Sequence, residues 1–497
     1  MPVAWTPYLQ FPLGGRKTGL LPPTLDSSTQ RGREIAQPLY LNLAPNYDAT
    51  LTARHMSRRG PALGAEFRYL GRREDGRLTG DWLPRDRLTG QARGRLAWDH
   101  RQRRGPWRLD LRWRQVSDRD YLRDLGGGLA SANRPYLERH ARLAYARGPW
   151  RADLLAQDYQ LLDPTLSAPL RRLPRLTLRG DGGTWTLRAE HSRFQRGTDL
   201  VARRDRIEPA LTPMLARPYA RLRPRLGGVL LHYAGGTTRA VPRLALDAAL
   251  YLDRRRPGLD ETLSPRLYWT YTPYREQSSL PRLDTAPLPA GSARLFTPAR
   301  YAGGDRIGDR HSLTLALDYQ RRGRLQQGLT LAALAQLADQ RVALPGETVK
   351  RAGWIEPVLL WRGRRDGALG AALEVDWPHG DATPNQARFG LNYDTPRLVG
   401  RLDYQYAAGR VDQIHLRLWR RAGPWQGGVA SRWDLTRGRE LETRAGLGYG
   451  GCCWSLAVHA RRYRIGTSDA LYQRLTLTLE LAGLGRTGRG LRERLGL

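Results

Sequence analysis

Cys452 and Cys453, the only two cysteines, stand side by side in residues 450–460, Gly-Gly-Cys-Cys-Trp-Ser-Leu-Ala-Val-His-Ala. That stretch otherwise alternates like a strand, and successive strand side chains point to opposite faces. Trp454, Leu456 and Val458 share the parity of Cys452, whereas Ser455, Ala457 and His459 share that of Cys453. A bridge between the two thiols would be strained, because neighbouring Cα atoms lie closer than disulfides prefer. The pair therefore reads as two separate hooks for partners outside this chain, or as two incidental strand cysteines. Other chemistry is sparse. The nine histidines are dispersed, with no His-Glu-x-x-His and no tight ligand cluster, so no metal site is expected. No Gly-x-Ser-x-Gly elbow occurs. Gly446/Gly448/Gly451 and Gly483/Gly485/Gly488 match the dinucleotide fingerprint only in spacing. The first leads into the cysteine strand and the second leaves too little chain for a βαβ unit, so both read as turn glycines. The expectation is a protein without catalytic residues, cofactor or metal; a hydrolase assembled from distant strands has no motif to support it.

The elements that position these residues follow from composition and periodicity. The chain has 497 residues, a net charge of +35 and a mean hydropathy of −0.58. No run of 18 apolar residues exists, which excludes transmembrane helices but not barrel strands, whose lipid-facing and lumen-facing residues alternate. Of the 82 cationic residues only Lys17 and Lys350 are lysines. Codon usage in a GC-rich genome explains part of that bias; the functional reading is a surface or cavity facing anions such as phosphate, lipid headgroups or nucleic acid. Residues 1–15 lack a charged segment followed by an apolar one, so an exported protein would be missing its N-terminus here.

Strand signals run almost throughout. Trp107, Leu109, Leu111 and Trp113 alternate with Arg108, Asp110, Arg112 and Arg114. Leu313, Leu315, Leu317 and Tyr319 alternate with Thr314, Ala316, Asp318 and Gln320, and Leu475, Leu477, Leu479 and Leu481 with Thr476, Thr478 and Glu480. A helix would scatter these faces. Helical spacing competes only around 328–338, which is also read as strand. Gly105-Pro106-Trp107, Gly148-Pro149-Trp150 and Gly423-Pro424-Trp425 each end an arginine-rich strand and open the next. A Trp after such a turn suits a membrane–water boundary. So many amphipathic strands exceed one sandwich and predict a single all-β fold, a large closed antiparallel transmembrane β-barrel. The expected organisation is a lead-in at 1–15, a barrel over 16–485 with a long loop near 273–311, and a C-terminal tail at 486–497. The loop, with four prolines in 281–298 and the pair Gly303-Gly304, is expected to fold over or into the barrel mouth.

Several segments in order resemble the β-barrel domain of the LPS-assembly protein LptD (OstA) family. They are Tyr8-Leu9-Gln10-Phe11-Pro12, Arg16-Lys17-Thr18-Gly19, Ala44-Pro45-Asn46-Tyr47-Asp48-Ala49-Thr50, Glu66-Phe67-Arg68-Tyr69-Leu70 and Val116-Ser117-Asp118 with Tyr121. Tyr271-Thr272-Pro273-Tyr274-Arg275-Glu276-Gln277, Gly303-Gly304-Asp305-Arg306-Ile307 and Cys452-Cys453-Trp454 follow. The resemblance is strongest in 2–126, 265–320 and 445–485, and weak in 195–260 and 365–445. It implies about 26 strands and a place in the outer membrane of a Gram-negative bacterium. It further implies an LptE-type lipoprotein plug in the lumen, an LptA-type periplasmic bridge acting through an N-terminal jelly roll, and lipopolysaccharide as cargo. Folding would need the outer-membrane assembly machinery, and no nucleic acid partner is implied. In the family the paired cysteines bridge to the jelly-roll domain, which is not in this chain. Transport energy would come from elsewhere, no nucleotide motif being present.

The resemblance also implies a lateral gate between the first strand, about 16–28, and the last, about 472–483. Pro23 and Pro38 align with family prolines in the first two strands, and Leu475 and Leu477 stand on the last. Proline cannot donate to a ladder and belongs at an edge or a weakened pairing. Alternatively Pro22-Pro23 sits in a loop. Two other classes compete. A general porin shares the alternation but has no use for the cysteine pair or the prolines. A nucleic-acid binder would explain the charge, yet its arginines should form patches.

Overall fold

The computed structural model describes residues 17–481 and 491–497, apart from 168, 197–198, 290, 366, 382, 452–453 and 466–469. The lead-in 1–15 and both cysteines, Cys452 and Cys453, thus lie outside the described residues. Within them, strand follows strand with antiparallel pairing at every step, and pairing of Thr24–Ser28 with Leu471–Leu481 closes the ring. Among the described residues the wall has 26 staves, three of them broken once: Gly19–Leu20/Thr24–Ser28, Asp199–Leu211/Leu215–Arg217 and Thr237–Leu250/Leu252–Arg256. Over that paired stretch, closure covers the edges that the outermost strands would otherwise expose. Among the described residues no helix is long and apolar enough to cross a membrane.

The alternation sorts as the sequence reading expects. In the strand Arg310–Arg322, Leu315 and Leu317 face outward and are exposed, whereas Ser312 and Thr314 face the lumen and are buried. Hairpin turns alternate between the two ends. Gly105, Gly148 and Gly423 fall at the short-turn end with φ of +55°, +56° and +56°, a conformation glycine supplies for a two-residue turn whose second residue is proline. The tryptophans after them join an aromatic belt: Trp107 against Tyr145, Trp150 against Trp185, and Trp425 against Tyr449, with centroids 4.8, 5.4 and 4.9 Å apart. The insertions 117–135, 162–170, 273–309 and 337–354 all fall at the other end. Barrels of the outer membrane carry short turns on the periplasmic side and long loops outside, which orients this one.

Several luminal arginines pair with carboxylates on their own sheet face. Arg114 meets Asp99 at 2.7 and 2.6 Å, Arg266 meets Asp247 at 2.8 and 2.9 Å, and Arg68 meets Asp48 at 2.7 and 2.9 Å. Such cross-strand pairs tie the staves together on the wet face.

The insertion 273–309 turns inward. Leu280 and Ile307 pack on Val229, Leu231, Tyr233 and Val241, while Leu295 packs on Ala316, Ala332, Leu334 and Val358. All of these wall residues are luminal. The loop 337–354, which sequence reasoning did not single out, clamps the first: Tyr301 donates to the Val342 carbonyl at 3.0 Å and to Glu347 at 2.6 Å. A third insertion holds two helical turns, Tyr121–Asp124 and Leu129–Ala132. Residues 491–497 of the expected tail also lie inside, where Leu491 and Leu495 of the turn Leu491–Arg494 and its exit pack on Val399, Trp419 and Ala430. Gly428 and Gly446 leave the space these leucines occupy.

Candidate lateral seam and luminal anchors

The seam is the junction of first and last strands, and among the described residues only part of it is paired. The register runs from Thr24↔Thr478 to Ser28↔Arg474, five residues of the first strand, at the long-loop end. Gly19–Leu20 pairs only with Tyr40 and Leu39 of the second strand. Residues 479–481 pair with 454–456 behind them but have no register partner in the first strand among the described residues. Pro22 and Pro23 fall in the break between the two pieces of that strand, since two successive prolines offer the ladder no donor.

Pro38 lies opposite this break, paired on its far side with Thr52. Its carbonyl accepts the Leu21 amide at 2.9 Å. Residues that face each other in this way normally exchange both bonds, but Pro38 has no N–H to return. The Gln37 side chain fills the gap: its Nε2 donates to the Leu21 carbonyl at 2.7 Å and to the Pro38 carbonyl at 3.2 Å. Sequence reasoning missed Gln37, although a glutamine beside a strand proline is the signal that could have found it. Replacing Gln37 with Leu should cost about 0.5–1.5 kcal/mol of pairing and speed amide exchange across 19–28. Pro38→Ala restores the donor and should slow that exchange.

Leu475 and Leu477 occupy the outer face, opposite Ser27 and Leu25, and Leu475 is 51% exposed. The structure thus gathers Pro23, Pro38, Leu475 and Leu477 around one junction. On the luminal side Asp26 clasps it, accepting from Arg474 Nε at 3.0 Å and Nη2 at 2.6 Å, and from the Thr476 hydroxyl. These polar partners come from the two ends of the chain and were not legible as a pair.

A second buried constellation anchors the loop 273–309. Asp305 is fully buried, and one of its oxygens accepts the amides of Leu283, Asp284 and Thr285 at 2.8, 2.6 and 3.1 Å. The other accepts from Tyr233 Oη at 3.1 Å and from Arg204. Arg204, only 1% exposed, also pairs with Glu190 and Asp284, both at 2.7 Å. Gly304 keeps the backbone clear of the Arg204 guanidinium, where a side chain would collide. The motif 303–307 is thus a docking motif. Burial works against the Asp284 charge, but the Arg204 bonds, the Gly304 amide and nearby Arg172 hold its carboxyl below the usual 3.8. A lowered carboxyl contributes stability that is fully present above the unfolded pKa and is lost as pH falls through the folded one. Loop docking should accordingly be constant above about pH 4 and weaken in stronger acid, as limited proteolysis across an acid series would record.

Comparison with families of known proteins matches residues 91–420 to the family described as LptD, LPS transport system D. The LPS-assembly protein LptD of Aromatoleum aromaticum is 33% identical over 528 residues, an alignment covering 98% of this chain and 65% of that protein. Those of Alkalilimnicola ehrlichii and Thiobacillus denitrificans are 34% and 32% identical and are covered over 70% and 71% of their length. The chain spans about two thirds of these relatives. Among solved structures, the alcaligin outer membrane receptor FauA from Bordetella pertussis overlaps 93% of this chain and 75% of its own at 9% identity and a TM-score of 0.30, a likeness too loose to bear on function. From the ordered motifs, the 26-stave wall and these relatives, the chain belongs to the LPS-assembly protein LptD family as a β-barrel of the Gram-negative outer membrane.

Proposed function

We propose that the barrel passes lipopolysaccharide to the outer leaflet and releases it sideways through the seam between its first and last strands. The observation that supports this reading most is the half-made junction: a first strand broken at Pro22-Pro23 and joined to the last over only five residues. Among the described residues every other junction in the wall is longer, the shortest being that of Trp107–Val116 with Tyr136–Arg147. An amphiphile leaving by this route keeps its sugars against the polar wall while its acyl chains slide past Leu25, Leu475 and Leu477 into lipid. Opening starts at the unpaired periplasmic half and must then break the five-residue register. The family relationship supports the partners: an LptE-type lipoprotein within the lumen and an LptA-type bridge delivering cargo from the periplasm. Cys452 and Cys453 would tie the barrel to the domain that receives the bridge. The role is transport and assembly, with no catalytic step.

Photoreactive residues at positions 23 and 475, in cells making the complete protein, should crosslink to lipopolysaccharide. One at Leu315, on the outer face away from the seam, should not. Crosslinks at none of the three, with lipopolysaccharide still reaching the surface after depletion, would sink the reading and leave a general porin.

A further inference from the structure

Behind the paired half of the seam the luminal face carries a recess of about 620 Å³. Its lining includes Arg134, Arg444, Arg461, Arg474 and Arg494, with Glu493 as its carboxylate. Two more carboxylates stand at its edge. Glu442, 5% exposed, is shared by Arg444 at 2.8 Å and Arg461 at 2.6 Å, and Asp26 holds Arg474 across the seam. Among the described residues five guanidinium groups thus face three carboxylates, and the backbone is arranged for them. Gly127 gives its carbonyl to Arg461, and at Gly128, with φ of +142°, any side chain would collide with that guanidinium. The third insertion and the C-terminal turn enclose the space from two sides.

We propose that this recess binds the phosphate-bearing headgroup of the exported lipid, and that the bound anion opens the seam by drawing Arg474 away from Asp26. The inference rests on the transport reading and adds to it a site and a trigger. An amphiphile whose tails cross the seam must keep its charged headgroup just inside the wall, where the recess lies. A phosphate group offers more charge and more acceptor oxygens than one carboxylate, and guanidinium pairs with it in the same bidentate fork. Arg474 is the one cation common to the recess and the clasp. An anion arriving beside Arg444 and Arg461 therefore competes with Asp26 for it, and the register 24–28/474–478 loses its luminal tie. Without cargo the clasp re-forms and the seam shuts.

Spin labels at Ser27→Cys and Leu475→Cys, with Cys452 and Cys453 replaced by Ser, report the width of the seam in the purified barrel complex. Bis-phosphorylated lipid A should lengthen the distance, and dephosphorylated lipid A and inorganic phosphate should not. Arg461→Gln should abolish the response with the unliganded distance unchanged, and Arg461→Lys, which keeps the charge beside Glu442, should restore much of it. Asp26→Asn should be wide without ligand. Equal widening by dephosphorylated lipid A, or a full response in Arg461→Gln, would overturn the proposal. A response to inorganic phosphate alone would overturn the assignment to a lipid headgroup. If the photocrosslinks at 23 and 475 form while the distance ignores phosphorylation, the trigger fails and the transport reading stands; loss of the crosslinks themselves defeats that reading.

Discussion

A cysteine pair placed at Leu25 and Leu477 will, once oxidised, stop lipopolysaccharide from reaching the cell surface, and reductant will restore it. The two residues are register partners across the seam, and Leu25 is exposed on the lipid face. Partners in an antiparallel pair stand about 4.5–5.5 Å apart at Cα, inside the range a disulfide spans. The bond fixes a junction that otherwise depends on five residues, so the effect on export should approach complete loss. A pair at Leu315 and Ala333, partners on intact strands, makes the same covalent tie where no opening is proposed. It should leave export unchanged. Surface lipopolysaccharide in a conditional strain, scored with and without reductant, reads both. Export that continues through an oxidised 25–477 bond would end the lateral-seam account, whatever else the barrel does.

What the sequence discloses here is set by the range of the interaction. Period-two alternation is local, so the two faces of 107–114 and 313–320 can be assigned from the order of residues alone, and the Gly-Pro-Trp turns fix one end of the wall. Pro23 and Pro38 are also local signals, because a missing donor weakens a ladder wherever it stands. Side-chain partnerships across the barrel are not legible. Asp26 and Arg474 are 448 positions apart, and Arg204 and Asp305 are 101 apart. Among so many arginines, nothing in the sequence says which one a given carboxylate meets. The inward turn of 491–497 and the clamp from 337–354 are hidden for the same reason: each is made by a few apolar residues whose sites exist only after the wall has closed.

Asp305→Ala should undock the loop 273–309 from the lumen, with a loss of about 3–5 kcal/mol in docking, the range for removing one member of a buried ion pair. Two costs combine. Arg204, 1% exposed, keeps its partners Glu190 and Asp284 but loses the one that is itself fully buried. The amides of Leu283, Asp284 and Thr285 lose their common acceptor, and each unpaired buried amide carries its own desolvation cost. The expected result is a barrel that still assembles but whose loop is cut by protease at 278–300, and whose lumen admits large antibiotics. Asp305→Asn separates the two costs, because its side-chain oxygen still accepts from the three amides while the charge that faces Arg204 is gone. Arg204 keeps Glu190 and Asp284 in this variant, so docking should be regained in part, short by the cost of the lost buried charge. Full recovery would show that the backbone amides, and not the ion pair, hold the loop. A protease pattern unchanged in Asp305→Ala would show instead that Leu280, Leu295 and Ile307 hold it by apolar contact, and that the 303–307 motif serves something other than docking.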